Sequence, residues 1–377
     1  MIEWLFWLLL LAALYSYFIY PLMLLALRGR KRRQTPALEA SRPPSMTLIA
    51  TAFNEQTRIR EKMGNTLALD YPGLEIIVAS DCSTDQTDDI VREYSARGVR
   101  LVRASERLGK ENAQLHAIRE ARGDVIVFSD IATRIPSDAL RRLAAYFLDA
   151  GVGAVSSEDR FITQDGGVAG EGAYVRYEMG LRRMESELAG LVGLSGSFFA
   201  ARRSVCAQWD IHSPSDFNTA LNCARLGLRA VTAPDVLGFY KDLKDPAKEY
   251  LRKVRTALRG MTAIARHPDV LNPLRFGLFA WQVWSHKVMR WAVPWLLAVL
   301  FIVNLALVGK HDIYALILLG QLAFYGVAAV AHVSERFKAH GAVRIVYFFV
   351  QVNVALADAF WRCVSGKRMT TWQPSSR

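Results

Sequence analysis

From Trp4 to Leu27 the chain carries no charged residue, and the basic cluster Arg28, Arg30, Lys31, Arg32 and Arg33 follows at once. At 1.5 Å of rise per helical residue, this run is long enough to cross hydrocarbon, even with Pro21 inside it. Long apolar stretches return only near the other end of the sequence. The intervening segment must therefore fold as a water-facing domain held beside a membrane. Glu3 replaces the usual basic start of a leader, the run is too long, and small-residue cleavage spacing is missing, so a retained anchor is expected. The arginines place the flank, and with it the following domain, on the cytosolic side.

The 377 residues leave room for a catalytic domain of roughly 200–250 residues plus membrane helices. A hydrophobic share of 52% is high for a soluble enzyme, and it is concentrated in a few stretches. The net charge of +12 sits largely beside those stretches, so membrane lipids are the expected partner. No nucleic-acid module is present, and nucleic acid is not expected. Cys82, Cys206, Cys223 and Cys363 form no C-x-x-C, which points to neither a zinc site nor a disulfide framework.

Between the apolar ends, short apolar runs alternate with helical spacing. Strands are expected at Met46–Ala52, Leu74–Ala79, Val99–Ala104, Asp124–Phe128, Gly153–Ser157, Ser197–Ala201, Arg229–Thr232 and Pro234–Tyr240. Helices are expected at Arg58–Leu69, Asp85–Ala96, Glu111–Ala121, Ala139–Leu148, Val175–Leu188 and Asp216–Leu226. This is an α/β pattern, with a mostly parallel sheet covered on both faces. Ligands of such sheets bind beyond the carboxyl ends of strands. Here those ends read Phe53-Asn54-Glu55, Ser80-Asp81-Cys82-Ser83-Thr84-Asp85 and Ser129-Asp130.

A carboxylate such as Asp81 can accept a base N–H or a ribose hydroxyl, whereas Asp85 can equally cap the helix it precedes. Asp130, alone at a strand end, can hold a hard cation that bridges phosphates, or simply close a turn. Asp216 opens a helix and can cap it. Arg107-Leu108-Gly109-Lys110 lacks the spacing of a Walker loop, and no G-x-G-x-x-G follows a strand, so a dinucleotide cofactor is not expected.

Four pieces in order carry a resemblance: Ala52-Phe53-Asn54-Glu55, Val78-Ala79-Ser80-Asp81 with Ser83-Thr84-Asp85, Arg107-Leu108-Gly109-Lys110, and Gly123-Asp124 through Phe128-Ser129-Asp130. Their order and spacing resemble the nucleotide-binding half of the family 2 glycosyltransferases. Leu194-Ser195-Gly196-Ser197, Ser215-Asp216-Phe217 and Arg252-Lys253-Val254-Arg255 extend the resemblance. With the apolar segments, the chain is similar to membrane-embedded synthases of the hyaluronan, chitin-oligosaccharide and poly-N-acetylglucosamine type.

The resemblance implies a GT-A type, Rossmann-like domain with interfacial helices and about three to four transmembrane helices. It implies an inverting hexosyl- or N-acetylhexosaminyltransferase. Its donor would be a nucleoside-diphosphate sugar, UDP-linked in most relatives of this kind. Its acceptor would be a growing polysaccharide or a lipid-linked sugar at the cytosolic face of the cell inner (plasma) membrane, and export or accessory proteins would be compatible partners. It assigns Glu55, Asp81, Lys110, Asp130, Arg252 and Arg255 to the donor nucleotide and diphosphate. Asp216 becomes the general base, Ser195 and Gly196 lie on the acceptor side, and Asp130 holds Mg²⁺ or Mn²⁺.

Two departures stand out. The third position of the family's D-x-D is Ala132, and the tryptophan expected after R-x-x-R is Thr256. They motivate an alternative, a non-catalytic nucleotide-binding subunit of a polysaccharide-export complex. Trp372 resembles a terminal tryptophan element of some relatives.

The expected organisation is an anchor and basic flank (1–33), a linker (34–45) and a cytosolic domain (46–246). Amphipathic interfacial helices (247–289), a C-terminal transmembrane region (290–365) and a tail (366–377) follow. Leu274–Met289 reads as an interfacial element, and Trp291–Val308 and Ile313–Val333 as spans. The last apolar stretch, Ile345–Trp361, contains Gln351, Asn353 and Asp358 and can span, re-enter or lie flat.

Overall fold

The computed structural model describes residues 1–27, 43–162, 173–241 and 246–367. The basic cluster at 28–33, most of the linker, the Gly-rich stretch at 166–172 and Trp372 lie outside the described residues. Helices α1 (Ile2–Leu14) and α2 (Tyr20–Leu27) are joined by a π-helical turn, Tyr15–Ile19. Then strands and helices alternate: β1 (Met46–Ala52), α3 (Ile59–Leu67), β2 (Glu75–Ser80), α4 (Thr87–Arg92), β3 (Val99–Arg103), α5 (Lys110–Glu120) and β4 (Val125–Asp130). The order continues through α6 (Ala139–Tyr146), β5 (Val152–Ile162), α7 (Ala173–Leu188), β6 (Phe198–Arg202), α8 (Ser215–Arg225) and β7 (Arg229–Lys241). Helices α9 (Pro246–Arg266), α10 (Pro273–Val283), α11 (Met289–Leu307), α12 (Asp312–Val333), α13 (Glu335–Lys338) and α14 (Gly341–Val364) complete it. Among the described residues, 1–26, 246–261 and 283–367 form one compact unit, and 43–162, 173–241 and 262–282 the other.

In the second unit the seven strands run in the order β3-β2-β1-β4-β6-β5-β7. Strand β1 is buried along its whole length, as a continuous apolar run in a two-sided sheet must be. One face packs Leu48, Val78 and Val127 against Ile59, Met63, Ile90, Val91, Leu140 and Leu143 of the helices. The other packs Ile49, Ile77, Ile126 and Phe128 against Ala113, Ala117 and Ala220.

The sheet is parallel except at β6, which pairs antiparallel with both β4 and β5. The apolar run of β6 says that it is buried and nothing about its direction. The two stretches expected at Arg229–Thr232 and Pro234–Tyr240 form the single strand β7. Its register against β5 slips between Ser157↔Ala233 and Glu158↔Leu237, looping out Pro234, Asp235 and Val236. Proline lacks a ladder N–H, so a bulge is where a strand tolerates it.

In the helical unit, Phe6 of α1 packs with Leu300, Val303, Leu307 and Tyr314 of α11 and α12. Four helical stretches are long and apolar enough to cross a membrane: Ile2–Leu27, Pro273–Leu307, Asp312–Val333 and Gly341–Val364. The second runs through both the expected interfacial element, Leu274–Met289, and most of the expected span, Trp291–Val308. Helix runs on from Pro273, past a kink at Gly277 (φ 52°) and a π turn at Trp284–Val288, to Leu307. His286 and Arg290, which interrupt the apolar pattern, are buried, and the Arg290 guanidinium lies 5.1 Å from the Tyr17 ring centroid.

The polar residues of the last stretch are likewise accommodated within one continuous helix. Asp358 accepts from Arg362 Nε at 2.7 Å and from the Tyr250 hydroxyl at 3.3 Å. Gln351 Oε1 accepts from Lys253 Nζ at 3.2 Å, and Asn353 Nδ2 donates to the Phe349 carbonyl at 2.8 Å. Helix α9 is amphipathic as expected, with Val254 and Leu258 fully buried.

Candidate active site

Parallel pairing sets the strand ends level. Thr51 pairs with Asp130 and Ala52 with Ser80, so the loops carrying Glu55, Asp81 and Asp130 leave one edge of the sheet together. Because β6 runs the other way, its amino end arrives at the same edge, and Ser129 pairs with Phe198. This delivers Ser195, Gly196 and Ser197 beside Asp130, whose N–H donates to the Ser197 carbonyl at 2.9 Å.

Lys110, at the start of α5, joins the pieces. Its Nζ donates to Asp130 Oδ1 at 2.5 Å and to the Gly196 carbonyl at 2.9 Å. Gly196 in turn lies against Asp216: a Cβ on Gly196 would stand 3.2 Å from Asp216 Oδ2. Helix α8 starts at Ser215, after Pro214, so Asp216 stands inside the first turn rather than at the cap. The Ser215 N–H is received by Glu111 Oε1, at 3.3 Å.

Asp81 is fully buried. One oxygen accepts from the Gly109 N–H at 3.1 Å, and the other has no hydrogen-bond partner among the described residues. A buried, unsatisfied carboxylate oxygen is costly and calls for a donor from outside the chain. Burial raises the Asp81 carboxyl above the usual range, against the Gly109 N–H and the Arg107 charge. Gly109 has φ 107°, which favours glycine at the start of α5. Beside it, the Arg107 guanidinium stacks 3.8 Å from the Phe53 ring centroid.

Glu55 is buried against Arg58, at 2.8 Å, and burial again raises its carboxyl. Asp85 is taken up by the loop: its oxygens accept from the Gln56 N–H at 3.1 Å, the Thr87 N–H at 2.9 Å and the Thr87 hydroxyl at 2.5 Å. The cap position of α4 is Gln86, one residue beyond Asp85. The structure thus brings Asp130, Lys110, Ser195, Gly196 and Asp216 into one connected cluster, with Asp81 and Glu55 on neighbouring loops. Arg252 and Arg255 lie on α9 in the helical unit.

Two groups at this edge escaped the sequence reading. Lys62, 2% exposed on α3, donates to Ser129 Oγ at 2.6 Å and to the Thr133 carbonyl at 2.7 Å, closing the turn that carries Asp130. Its helical register with the buried Ile59, Met63 and Thr66 was the available clue. Asp159, on β5, accepts from the Ser195 hydroxyl at 2.6 Å and the Ser197 hydroxyl at 2.5 Å. Its run Glu158-Asp159-Arg160 reads as a solvated strand end.

Burial lowers Lys62 to about 7, against the pull of Asp130. Its folded value lies below the unfolded one, so the unfolded chain binds the extra proton between about pH 7 and 10. Stability should rise with pH across that window, and in Lys62→Met this rise should shrink by about 2 kcal/mol between pH 7 and 9. Thermal unfolding in detergent at those pH values checks it. Equal pH slopes in the two proteins would remove the buried cation from the account.

Residues 47–209 match the Glycosyl transferase family 2. The match covers β1 to β6 of the sheet unit. Over 183 residues this chain is 27% identical to the poly-beta-1,6-N-acetyl-D-glucosamine synthase of Staphylococcus aureus (strain COL), covering 46% of this chain and 44% of that protein. It is 25% identical over 173 residues to the corresponding synthase of Staphylococcus epidermidis, covering 44% and 42%. The matched stretch thus spans less than half the length of these relatives. Among solved structures, a mannosyltransferase from Pyrobaculum calidifontis in complex with GDP-Man and Mn²⁺ shares the fold, with a TM-score of 0.74 and 22% identity over 98% of this chain and 100% of that one. The sheet unit has the GT-A type architecture, with a mostly parallel sheet and one antiparallel strand.

Proposed function

We propose that this glycosyltransferase transfers a sugar, with inversion, from a nucleoside-diphosphate donor to a hydroxyl of a growing polysaccharide or lipid-linked acceptor. The observation that carries the reading is the arrangement around Gly196. Lys110 bonds Asp130 and the Gly196 carbonyl on one side, and the Asp216 carboxylate lies against Gly196 on the other. Cation and base thus meet at one glycine, close enough to act on the same bound donor.

In this reading Asp81 accepts a base N–H through its unpartnered oxygen, and Glu55 borders the nucleotide. Lys110 neutralises the diphosphate as it departs, a role the resemblance also assigns to Arg252 and Arg255. Asp216 removes the proton of the acceptor hydroxyl as that oxygen attacks the anomeric carbon. Ser195 and Gly196 face the acceptor. UDP-sugars are the first donors to test, and the fold likeness to a GDP-Man complex puts GDP-sugars beside them.

Among the described residues, no group of three His, Cys, Asp or Glu side chains is placed to hold a metal. The donor set fits a divalent ion for which Asp130 supplies the single carboxylate and the donor diphosphate the other oxygens. Mg²⁺ or Mn²⁺ bound there would supply charge to the leaving diphosphate. Positive-inside reasoning puts the glycosyltransferase domain on the cytosolic side of the inner membrane.

The test is release of UDP or GDP by the full chain in lipid nanodiscs, across a donor panel, with Mg²⁺, Mn²⁺ or EDTA and with membrane lipid extract as acceptor. Release with one donor supports the reading. Nucleotide binding without release under every condition favours the non-catalytic subunit.

The raised Asp81 carboxyl adds a pH expectation. Protonated, it offers a donor where the base needs an acceptor, so affinity for the nucleoside diphosphate should fall on acidification at a higher pH than an ordinary aspartate, ~3.9, would cause. Asp81→Asn should bind more weakly, and without that acid limb. Calorimetric titration at a series of pH values from neutral downward checks it, and superimposable profiles would remove Asp81 from the nucleotide site.

A further inference from the structure

The segment Ser195-Gly196-Ser197 belongs to no helix or strand, yet every part of the cluster leans on it. The Ser197 carbonyl receives the Asp130 N–H, the Gly196 carbonyl receives Lys110 Nζ, and the Gly196 Cα supports the Asp216 carboxylate. Irregular backbone holds such a geometry only when it is tied down on both sides of the point that matters. The ties here are side-chain bonds from β5. Ser156 Oγ receives the Ser195 N–H at 2.8 Å and is itself held by Arg182 at 2.7 Å. The Asp159 carboxylate takes the Ser195 hydroxyl with one oxygen and the Ser197 hydroxyl with the other, spanning Gly196.

We propose that Asp159 is a positioning residue for glycosyl transfer: by gripping Ser195 and Ser197 at once, it fixes Gly196 between Lys110 and Asp216 and so sets the base against the donor. This rests on the function proposed above. Charge-assisted hydrogen bonds from two hydroxyls to one carboxylate are the strong kind, and they define the backbone between them in a way that a single bond would not. Burial raises the Asp159 carboxyl by more than the two serine bonds and the Arg182 charge lower it. Ser156 and Ser157, between the apolar start of β5 and Glu158-Asp159-Arg160, are fully or nearly fully buried. They belong to the same support, since Ser157 Oγ donates to the Phe198 carbonyl at 2.6 Å.

The role differs from that of a group that touches substrate, and the consequences differ accordingly. Losing Asp159 leaves Asp81, Glu55 and the Lys110–Asp130 pair in place, so donor binding persists. The alignment of base and donor goes, and a misplacement of about 1 Å can cost about 10²-fold in rate. Asp159→Asn keeps one acceptor oxygen and the side-chain shape, and recovers part of that loss.

The experiment compares wild type, Asp159→Ala, Asp159→Asn, Asp216→Asn and the double variant Asp159→Ala/Asp216→Asn, all as full chains in nanodiscs. With the donor that wild type turns over, Asp159→Ala should lose about 10²-fold in kcat with the donor KM changed less than about threefold. Asp159→Asn should fall between, and in the Asp216→Asn background the same loss of Asp159 should cost less than about threefold. Full additivity of the two changes, or a KM effect without a kcat effect, overturns the proposal. Amide hydrogen exchange reads the same inference without turnover. In Asp159→Ala the Asp130 and Ser195 amides should exchange at least about tenfold faster while those of β1 and β2 keep their rates. Unchanged exchange, or loss of protection across the whole sheet, overturns it too. If wild type turns over no donor but the exchange change is found, the positioning geometry stands and the catalytic reading fails.

Discussion

Asp216→Asn is expected to lower kcat by about 10²–10⁴-fold, the range a positioned general base contributes. The substitution keeps the size of the side chain against Gly196, where a Cβ would stand 3.2 Å from the carboxylate oxygen. It leaves Asp81, Lys110 and Asp130 untouched. Binding of the nucleoside diphosphate by calorimetry should therefore stay within about threefold of wild type. This split is what separates a base from a helix-capping aspartate, whose loss would appear as about 1 kcal/mol of stability and little change in rate. The measurement is steady-state nucleotide release beside thermal unfolding of the same preparations. A variant that keeps its rate and loses stability would return Asp216 to a structural part.

Lys110→Met should be nearly as damaging and should act differently. The ammonium is shared between Asp130 and the Gly196 carbonyl, and the lysine side chain is only 10% exposed. Its removal leaves Asp130 without its counter-charge and the diphosphate without its lysine, so kcat/KM should fall by about 10²–10³-fold. Donor affinity should fall with it, unlike in the Asp216 variant. Lys110→Arg should not rescue, because a planar fork cannot occupy the place of a compact ammonium bonded to a carboxylate and a carbonyl. Donor titration of the three proteins checks this, and a rescue by arginine would mean that charge alone, without this geometry, is what the site needs.

Much of this arrangement was legible beforehand. Apolar runs such as Met46–Ala52 and Leu74–Ala79 mark buried strands because nothing else so short and continuous can be hidden from water. The acids after them follow from where parallel sheets bind ligands. The apolar ends were equally plain, although His286, Lys287 and Arg290 made one helical segment look like two elements. Local pattern records polarity, and the Tyr17 ring that the buried Arg290 lies over is distant in sequence. Asp358 and Gln351 are met in the same way, by Tyr250 and Lys253.

The sequence by itself determined which segments are hidden and which acids stand at strand ends, since hydrophobic periodicity and strand-end chemistry are local properties. Only the tertiary structure decided the direction of β6, and with it the arrival of Ser195–Ser197 beside Asp130. It also decided that Lys62 closes the Asp130 turn and that Asp159 grips both serines. These are pairings of polar groups separated by tens of residues, and which donor meets which acceptor is fixed by strand order and register. Composition and spacing carry no trace of that choice.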